Sequence, residues 1–349
     1  MRVLLTGSAG FIGGAVAARL EADGHEVVRV DLMLEQAHGL APVPEGTHRL
    51  DVRDAGSWTG LLRGVDVVCH QAALVGAGTT VADLPAYASH NDLGTAALLA
   101  AMAEAGVGSL VLASSMVVYG EGRYVCDRHG PRRPAPRPVP ALEGGDFENH
   151  CDLCGEPLAW DLVDEGAPLD PRSGYAAGKV AQEHYASAWA RQAGGSVVAL
   201  RYHNVYGPLM PRDTPYSGVA ALFRSSVERG EPPQVFEDGG QMRDFVHVAD
   251  VARANALAVR AAAEAGAGFR AFNVCSGRPV RILDVARHVA AGAGPVEPQV
   301  TGGFRLGDVR HIVASPERAR AELGFVAEVA PDEGLRAFAT EPLRGHQDV

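Results

Sequence analysis

The sequence predicts an α/β fold with a doubly wound parallel sheet, a smaller C-terminal lobe and a Cys/His-rich insertion. Short Val/Leu-rich runs alternate with Ala-rich amphipathic stretches up to residue 207, which is typical of βαβ units with helices on both sheet faces. After residue 208 the pattern becomes irregular and Pro/Gly-rich, which indicates a second lobe. Residues 121–157 are rich in Pro, Arg, Gly and Cys and follow no clear period, which indicates an insertion.

The elements follow in order along the chain. The apolar runs predicted as strands are residues 3–6, 26–31, 65–73, 109–115 and 196–207, the last with its loop. The amphipathic stretches predicted as helices include residues 11–22 and 91–105. We therefore expect one domain over residues 1–207, interrupted by the insertion 121–157. A lobe over residues 208–340 should be interleaved with late returns to the sheet.

Composition restricts the partners and the compartment. The 349 residues are 47% hydrophobic, which is enough for a large core, and the net charge of −11 makes nucleic acid and anionic membranes poor partners. The start MRVLL lacks the pattern of a signal peptide, and no apolar run reaches the roughly 18 residues of a membrane span. Five cysteines are too few for a secreted disulfide framework at this length. We expect a cytoplasmic protein.

A glycine motif indicates a dinucleotide site of the Rossmann type. Gly7, Gly10 and Gly13 lie between the first strand and the first helix, where glycine permits a tight turn and close approach of a pyrophosphate to the helix N-terminus. Asp31 ends the second strand, where a carboxylate accepts hydrogen bonds from adenosine ribose hydroxyls. The same carboxylate would repel a 2′-phosphate. The sequence therefore favours NAD over NADP.

A tyrosine and a lysine four residues apart indicate the chemistry. Tyr175 and Lys179 share one face of a helix in SGYAAGK, and Ser115 ends an apolar run. A free tyrosine titrates near 10, and we expect the neighbouring ammonium and a nicotinamide ring to lower this pKa. Tyr175 would then take the proton of a sugar hydroxyl while hydride leaves the same carbon, and Ser115 would share that proton. The set predicts redox chemistry on a carbinol.

These motifs together resemble the extended short-chain dehydrogenase/reductases, a family of nucleotide-sugar epimerases and dehydratases. The resemblance implies that Lys179 also holds the nicotinamide ribose and that Asn91 supports the active site from a helix. In the resembled dehydratases an acidic pair follows the serine and eliminates water. Here Met116 and Val117 stand at these positions, and neither carries a proton. We therefore expect oxidation followed by re-reduction, or net reduction of a ketosugar.

The resemblance implies further ligands. It covers the segments RLDVRD, HQAA, RYHNVYGP, GVAALF and QVFEDGGQMRDF. The additional cofactor contacts it implies are Phe11, Ile12, Asp51, Val52, Ala72, Ala73, Tyr202 and Val205. The substrate contacts are Ser115, Tyr175, Asn204, Val219, Phe223, Val235, Arg243 and Arg310. We expect Arg243 and Arg310 to clamp a diphosphate, because a guanidinium fork matches paired phosphate oxygens. His203 replaces the usual Phe, and we expect it to pack as a hydrogen-bonded histidine, with tuning of the cofactor pocket as the alternative.

The insertion carries two short Cys/His motifs. Cys126-x-x-His129 and Cys151-x-x-Cys154 have the spacing of a tetrahedral zinc site, with His150 as a rival fourth ligand. A segment this polar has little core of its own, and a metal would supply folding energy. The alternative is a set of free thiols and exposed histidines. We expect a structural rather than a catalytic zinc.

The insertion and its flanks are similar to those of bacterial dTDP-L-rhamnose 4-epimerases. This resemblance implies NAD-dependent interconversion of dTDP-L-rhamnose and dTDP-6-deoxy-L-talose by a homodimer formed through a helix pair including residues 91–105 and 175–190. Three alternatives stay open. They are an NAD(P)H-dependent 4-ketoreductase, a UDP-hexose 4-epimerase, and a non-catalytic zinc-knuckle scaffold or redox sensor.

Overall fold

The computed structural model describes residues 1–39, 42–76, 80–212, 218–294 and 296–344. Its strands in chain order are β1 (Arg2–Thr6), β2 (Glu26–Asp31), β3 (Thr47–Arg49), β4 (Val67–His70), β5 (Ser109–Ser115), β6 (Arg123–Cys126), β7 (Gly130–Arg132), β8 (Ala159–Asp161), β9 (Ser196–Tyr202), β10 (Asn204–Tyr206), β11 (Gln234–Val235), β12 (Met242–His247), β13 (Gly268–Val274), β14 (Pro279–Arg281) and β15 (Gln299–Val300). Its α-helices are α1 (Phe11–Ala22), α2 (Glu35–His38), α3 (Leu84–Tyr87), α4 (Gly94–Ala105), α5 (Val139–Glu143), α6 (Gly174–Ala193), α7 (Val219–Glu228), α8 (Val248–Glu264), α9 (Ile282–Ala293) and α10 (Pro331–Phe338).

Seven parallel strands form the central sheet, in the order β13-β9-β5-β4-β1-β2-β3. The chain starts in the middle at β1, moves outward to β3, and then returns to place β4 on the other side of β1. The reversal opens a crevice at the carboxyl ends of β1 and β4, which is where doubly wound sheets bind ligands. The predicted fold class is confirmed.

The central strands are largely apolar and buried because helices cover both faces of the sheet. All seven residues of β9 and all four of β4 are buried. One face packs against α1 and α8, through residues such as Leu20 and Val259. The other packs against α4 and α6, through residues such as Leu98 and Trp189.

A third core lies in the C-terminal lobe, where α7, α9 and α10 pack together around Phe223, Val285 and Phe338. Two small sheets, β10-β12-β14 and β11-β15, belong to this part of the chain. Strand β13 lies between β12 and β14 in sequence, but in space it forms the edge of the central sheet. The domain boundary at residue 207 stays a prediction.

The insertion forms its own small sheet, in which β6 pairs with β7 and β8 in antiparallel fashion. This sheet reaches Asp161, four residues beyond the predicted end. Its apolar cluster consists of Tyr124, Cys126, Cys151 and Leu158, with Cys154 packed against it. So small a core provides little stabilisation by burial alone.

The end of the described chain returns to its beginning. Arg344 forms a parallel bridge with Pro211 and donates from Nη1 to the carbonyl of Ala9, at 3.0 Å, in the turn after β1. Among the described residues, no helix combines the length and the apolar character needed to cross a bilayer.

Candidate active site

The turn between β1 and α1 has room only for glycine at two positions. Gly7 has a φ of +68°, and a Cβ there would lie 2.7 Å from the backbone nitrogen of Ala72. A Cβ on Gly13 would lie 1.9 Å from the carbonyl oxygen of Gly7. The backbone cap of α1 at Gly10 has no side-chain hydrogen bond, so the first N–H groups of the helix are available to an anion. This cradle fits a dinucleotide pyrophosphate.

The Asp31 carboxylate lies at the end of β2 beside this turn. It accepts from the backbone nitrogens of Ala9, at 2.9 Å, and Met33, at 2.8 Å. His38 Nε2 lies 3.4 Å from it, a neighbour that could not be expected from the sequence. Burial pushes its pKa upward, but the hydrogen bonds from His38, Met33 and Ala9 outweigh burial and hold the pKa of Asp31 below its usual value. A charged Asp31 fits ribose hydroxyls as donors.

The remaining cofactor candidates lie around the same crevice or against the core beside it. Asp51 caps the 3₁₀ segment Val52–Leu62 by accepting from Arg53 N at 2.8 Å, and Val52 is buried. Ala72 and Ala73 follow β4, and Phe11 and Ile12 begin α1. Tyr202 donates to Gln71 Oε1 at 3.0 Å, and Val205, on β10, packs against the core beneath.

Ser115, Tyr175 and Lys179 meet at the carboxyl end of β5. Ser115 is the last residue of β5, and its hydroxyl hydrogen-bonds Tyr175 in the first turn of α6. Ser173 caps α6 by accepting from Ala176 N at 3.1 Å, which fixes that turn. Lys179 Nζ donates to the carbonyl of Ala113 at 2.8 Å and lies 5.8 Å from the centroid of the Tyr175 ring. The structure therefore brings together the three residues that the sequence singled out.

The pKa values of this set differ from the sequence-based expectation. Burial raises the pKa of Tyr175 above its usual value, although the hydrogen bond from Ser115 opposes this. Burial also lowers the pKa of Lys179 to about 7, with Glu183 opposing. Desolvation disfavours both charged forms, so from protein groups alone the expected lowering of the Tyr175 pKa is wrong.

A buried network that the sequence analysis missed supports Lys179. Glu183, one turn further along α6, accepts from Ser114 Oγ at 2.5 Å and from Arg201 Nη2 at 2.7 Å. Arg201 in turn donates to Tyr119 Oη at 2.8 Å. The available signal was the spacing, because Glu183 follows Lys179 by four residues and so shares its helix face.

A cavity of about 370 Å³ lies between β10, α7 and the loop 301–309. Four predicted substrate contacts line it, namely Asn204, Val219, Phe223 and Arg243. Val235 is fully buried, whereas its neighbours Gln234 and Phe236 line the cavity. The Arg243 guanidinium donates to the carbonyls of Met242, Val309 and Arg310, at 2.6 to 2.9 Å, and so braces the cavity wall.

Arg310, predicted as a second diphosphate clamp, has no N–H group to spare in this arrangement. All five of its donors face oxygens of Glu148, Glu237 and Asp238, at 2.6 to 3.0 Å, and its side chain is 2% exposed. Arg305 lines the cavity instead, and its guanidinium lies 5.1 Å from the centroid of the Phe236 ring. Arg305 was not predicted from the sequence, because composition alone does not separate two arginines five residues apart.

The four Cys/His residues of the insertion converge. One possible ligand atom from each of Cys126, His129, Cys151 and Cys154 lies within 4.8 Å of the others. The Sγ atoms of Cys126 and Cys154 are 3.8 Å apart, close to the separation of about 3.8 Å expected for two thiolates on tetrahedral zinc. His150 hydrogen-bonds Asp146 and the Gly155 carbonyl and is not in this group. Burial opposes ionisation of Cys151, but hydrogen bonds from the Leu153 and Cys154 amides and with Cys126 and His129 together outweigh it and lower the pKa of this thiol to about 6.

Comparison with known proteins places the chain among nucleotide-sugar enzymes. The NAD dependent epimerase/dehydratase family matches residues 3–137 and 155–275, and the unmatched residues between them lie in the insertion. The dTDP-L-rhamnose 4-epimerase of Burkholderia thailandensis is 34% identical, over 97% of this chain and 94% of that protein. The UDP-glucose 4-epimerase of Mycolicibacterium smegmatis is also 34% identical, over 96% of each chain. The UDP-glucose 4-epimerase of Thermus thermophilus, solved in complex with NAD, is 32% identical with a TM-score of 0.74, over 97% of this chain and 98% of that chain.

Proposed function

Because this chain belongs to the NAD dependent epimerase/dehydratase family, we propose that it is an NAD-dependent 4-epimerase of a nucleoside-diphosphate sugar. The observation that carries the proposal is the meeting of Ser115, Tyr175 and Lys179 at the carboxyl ends of the central strands, where the glycine turn also lies. The cavity between β10, α7 and the loop 301–309 is lined by Arg243 and Arg305, and it offers two guanidinium groups for a diphosphate.

The chain supplies proton transfer and positioning. Tyr175, as phenolate, accepts the proton of the C4 hydroxyl while the hydrogen on C4 leaves as hydride, and Ser115 donates a hydrogen bond to the same oxygen. A protonated Lys179 stabilises that phenolate. Bound NAD would accept the hydride and return it. After the 4-keto sugar has turned over, its opposite face receives the hydride and Tyr175 returns the proton, so that the reaction is redox-neutral.

The residues after Ser115 favour epimerisation over dehydration. Met116 and Val117 form a 3₁₀ turn in which Val117 N donates to Ser115 Oγ at 3.4 Å, and Met116 packs against the apolar cluster around Val118. Elimination of water needs an acid or base beside C5 and C6. Neither side chain supplies one.

Our first choice of substrate is dTDP-L-rhamnose, with dTDP-6-deoxy-L-talose as product. The 34% identity with a dTDP-L-rhamnose 4-epimerase supports it. The resemblance of the insertion sequence to that of such enzymes supports it as well. The same identity with a UDP-glucose 4-epimerase makes a UDP-hexose the second candidate.

The test is to incubate the purified protein, without added cofactor, with dTDP-L-rhamnose and separately with UDP-glucose, and to identify the products by NMR. Inversion at C4 of the rhamnosyl group supports the proposal as stated. Inversion of UDP-glucose alone keeps the reaction and discards the deoxysugar. If neither inverts, addition of NADH or NADPH with a 4-keto sugar nucleotide tests the 4-ketoreductase. Failure there as well favours a non-catalytic scaffold.

We further propose a structural zinc ion held by Cys126, His129, Cys151 and Cys154. The convergence of three sulfurs and one imidazole, together with the small core of the insertion, supports it. Metal analysis of protein purified without chelator should give one zinc per chain, falling to near zero in Cys154→Ser. Zinc-free protein with an ordered insertion would contradict the proposal.

The exposed apolar side chains of the α3, α4 and α6 region support a homodimer. Leu84, Leu93 and Tyr185 are 45%, 55% and 48% exposed, respectively. Such side chains favour burial against a second copy through helix packing. Light scattering should give twice the chain mass for the native protein, and Leu93→Glu should shift it toward the mass of one chain.

A further inference from the structure

The Cys/His insertion meets the C-terminal lobe through a buried charge cluster. We use this term for Arg137 and Glu148 of the insertion together with Glu237, Asp238 and Arg310 of the lobe. The centre of this cluster is buried, since the side chains of Arg137, Glu237 and Arg310 are 4%, 2% and 2% exposed, whereas Glu148 and Asp238 at its rim are 35% and 53% exposed. A network of this kind, with charged groups buried and paired, holds its elements in one arrangement, because separating any pair leaves a buried charge unpaired.

Arg137 joins the insertion to the wall of the cavity. Its Nη2 donates to Glu237 Oε1 and to the carbonyl of Asp308, both at 2.8 Å. Its Nη1 donates to the carbonyl of Phe147, at 2.8 Å, within the insertion. One guanidinium therefore ties the backbone of the insertion to two residues that line the cavity.

Glu148 forms the second connection. Its Oε1 accepts from Arg310 Nη2 at 2.6 Å and from Nε at 3.0 Å, and its Oε2 lies 3.0 Å from His311 Nε2. Arg310 also pairs with Glu237 at 2.9 Å. Glu148 lies three residues before Cys151, so the proposed zinc ligands and this carboxylate belong to one short stretch of chain.

The backbone just after the loop 301–309 is held by residues at the start of the insertion. Arg310 N donates to Glu121 Oε2 at 3.0 Å, and His311 N donates to Tyr124 Oη at 2.9 Å. Residues 305, 308 and 309, immediately before this anchor, line the cavity. The insertion therefore holds the cavity wall from one side, in addition to Arg243 and the backbone pairs of Glu237 with Gly302 and Gly303, which hold it from within the lobe.

We propose that the zinc-bound insertion positions the loop 301–309 over the nucleotide-sugar cavity, with Arg137 and Glu148 as positioning residues that set substrate affinity. This inference rests on the proposed nucleotide-sugar and zinc sites. The insertion reaches the loop and not Ser115, Tyr175 or Lys179 through these contacts. Loss of the connection should therefore raise KM and leave kcat nearly unchanged.

The test compares Glu148→Gln and Arg137→Gln with a matched control, Glu143→Gln. Glu143 is exposed at the end of α5 in the same insertion. Relative to the native protein, both test variants should raise KM and the Kd for free dTDP or UDP roughly 2- to 30-fold, the range of coupling along a packed network. Their kcat, zinc content and NAD content should stay at native values. Glu143→Gln should match the native protein in every measurement.

Hydrogen exchange of the loop 301–309 provides a readout that needs no substrate. Amides of this loop should exchange faster than in the native protein in Glu148→Gln, in Arg137→Gln, and in native protein from which a chelator has removed the zinc. Zinc added back should restore protection in the native sequence but not in the two variants.

The outcomes separate the inference from the proposals beneath it. Unchanged exchange and unchanged nucleotide affinity in both variants, with zinc retained, would overturn the positioning role. Faster exchange without any nucleotide binding by the native protein would keep the mechanical connection and discard the nucleotide-sugar site. If the amides of the loop 301–309 exchange at the native rate in zinc-free protein, the metal has no part in positioning this loop.

Discussion

At the residue scale, burial disfavours the charged forms of both Tyr175 and Lys179. Burial lowers the pKa of Lys179 to about 7 and raises the pKa of Tyr175, so the protein alone favours the neutral form of each. A positive nicotinamide ring would be the additional charge that favours the phenolate. Under the proposed function, the pair would therefore act as a base only where the cofactor is bound.

Replacement of Tyr175 by Phe removes the group that moves the proton. We expect kcat to fall at least about 100-fold, the usual contribution of a positioned acid/base, with NAD content unchanged. Tyr185→Phe is the matched control, because Tyr185 is on the same helix and 48% exposed, and it should retain native activity. Epimerisation by Tyr175→Phe at a native rate would refute the assignment.

His203 should make the protein sensitive to acid. Burial, with Arg243 nearby, lowers its pKa to about 3, against about 6.5 in the unfolded chain. The folded state therefore binds fewer protons between these values, and stability that is complete above pH 6.5 is lost as the pH falls toward 3. The prediction that His203 is hydrogen-bonded is wrong within the described part of the chain, where neither ring nitrogen has a partner.

Replacement of His203 by Phe should remove both the acid sensitivity and the cost of burying an unpaired polar side chain. We expect about 1 kcal/mol of added stability at pH 7, from loss of a buried unpaired polar group, and a larger gain at pH 5. Urea unfolding at pH 5, 6 and 7 measures this. Equal pH slopes for the two proteins would show that His203 does not titrate in this way.

The residue scale also shows where the sequence is insufficient. Ser115, Tyr175 and Lys179 could be found because helix periodicity and strand ends fix where such side chains lie. Arg305 and Arg310 could not be separated, because what distinguishes them is a set of partners more than 70 residues away, or inside the insertion, rather than any local pattern.

At the element scale, the turn before α1 offers a matched pair of neighbouring glycines. Gly13→Ala places a Cβ 1.9 Å from the Gly7 carbonyl oxygen. We expect the free energy of unfolding to fall by about 1–3 kcal/mol and bound NAD to be lost. A Cβ on Gly14 would have the Ser8 carbonyl as its neighbour at 3.8 Å, an ordinary contact. Gly14→Ala should keep NAD and gain about 0.5 kcal/mol. Thermal unfolding and NAD content measure both variants, and equal effects would discard the explanation.

Five strands of the main sheet, β1, β2, β4, β5 and β9, were predictable because they are largely apolar runs. The short strand β3 and the sheet of the insertion were not predicted, and β13 was expected only as a late return to the sheet. Strands β6, β7 and β8 have three or four residues each, include Pro131, and pair in antiparallel order within a polar segment. Sequence periodicity needs longer runs than these. The helix predicted from residue 91 begins as a π turn, Ala88–Leu93, in which buried Asn91 exchanges hydrogen bonds with the Leu74 backbone and so holds the loop after β4.

At the scale of the whole molecule, the C-terminal segment connects the lobe to the cofactor crevice. Arg344→Ala removes the hydrogen bond to the Ala9 carbonyl, and we expect NAD to dissociate roughly 3- to 10-fold faster, which corresponds to about 1 kcal/mol. Arg336→Ala is a control of equal charge change on exposed helix surface. Exchange of labelled NAD measures the rate. Identical rates for the two variants would assign Arg344 no part in retaining the cofactor.

The contact between Arg344 and Ala9 also has a consequence for protein synthesis. The turn after β1 leaves the ribosome 335 residues ahead of the arginine that touches it. The glycine turn and Asp31 are made early, but the side chain that bonds to this turn is made only after the whole sheet and most of the lobe. The hydrogen bond that fixes the Ala9 carbonyl can therefore form only once the segment that carries Arg344 has emerged and folded back.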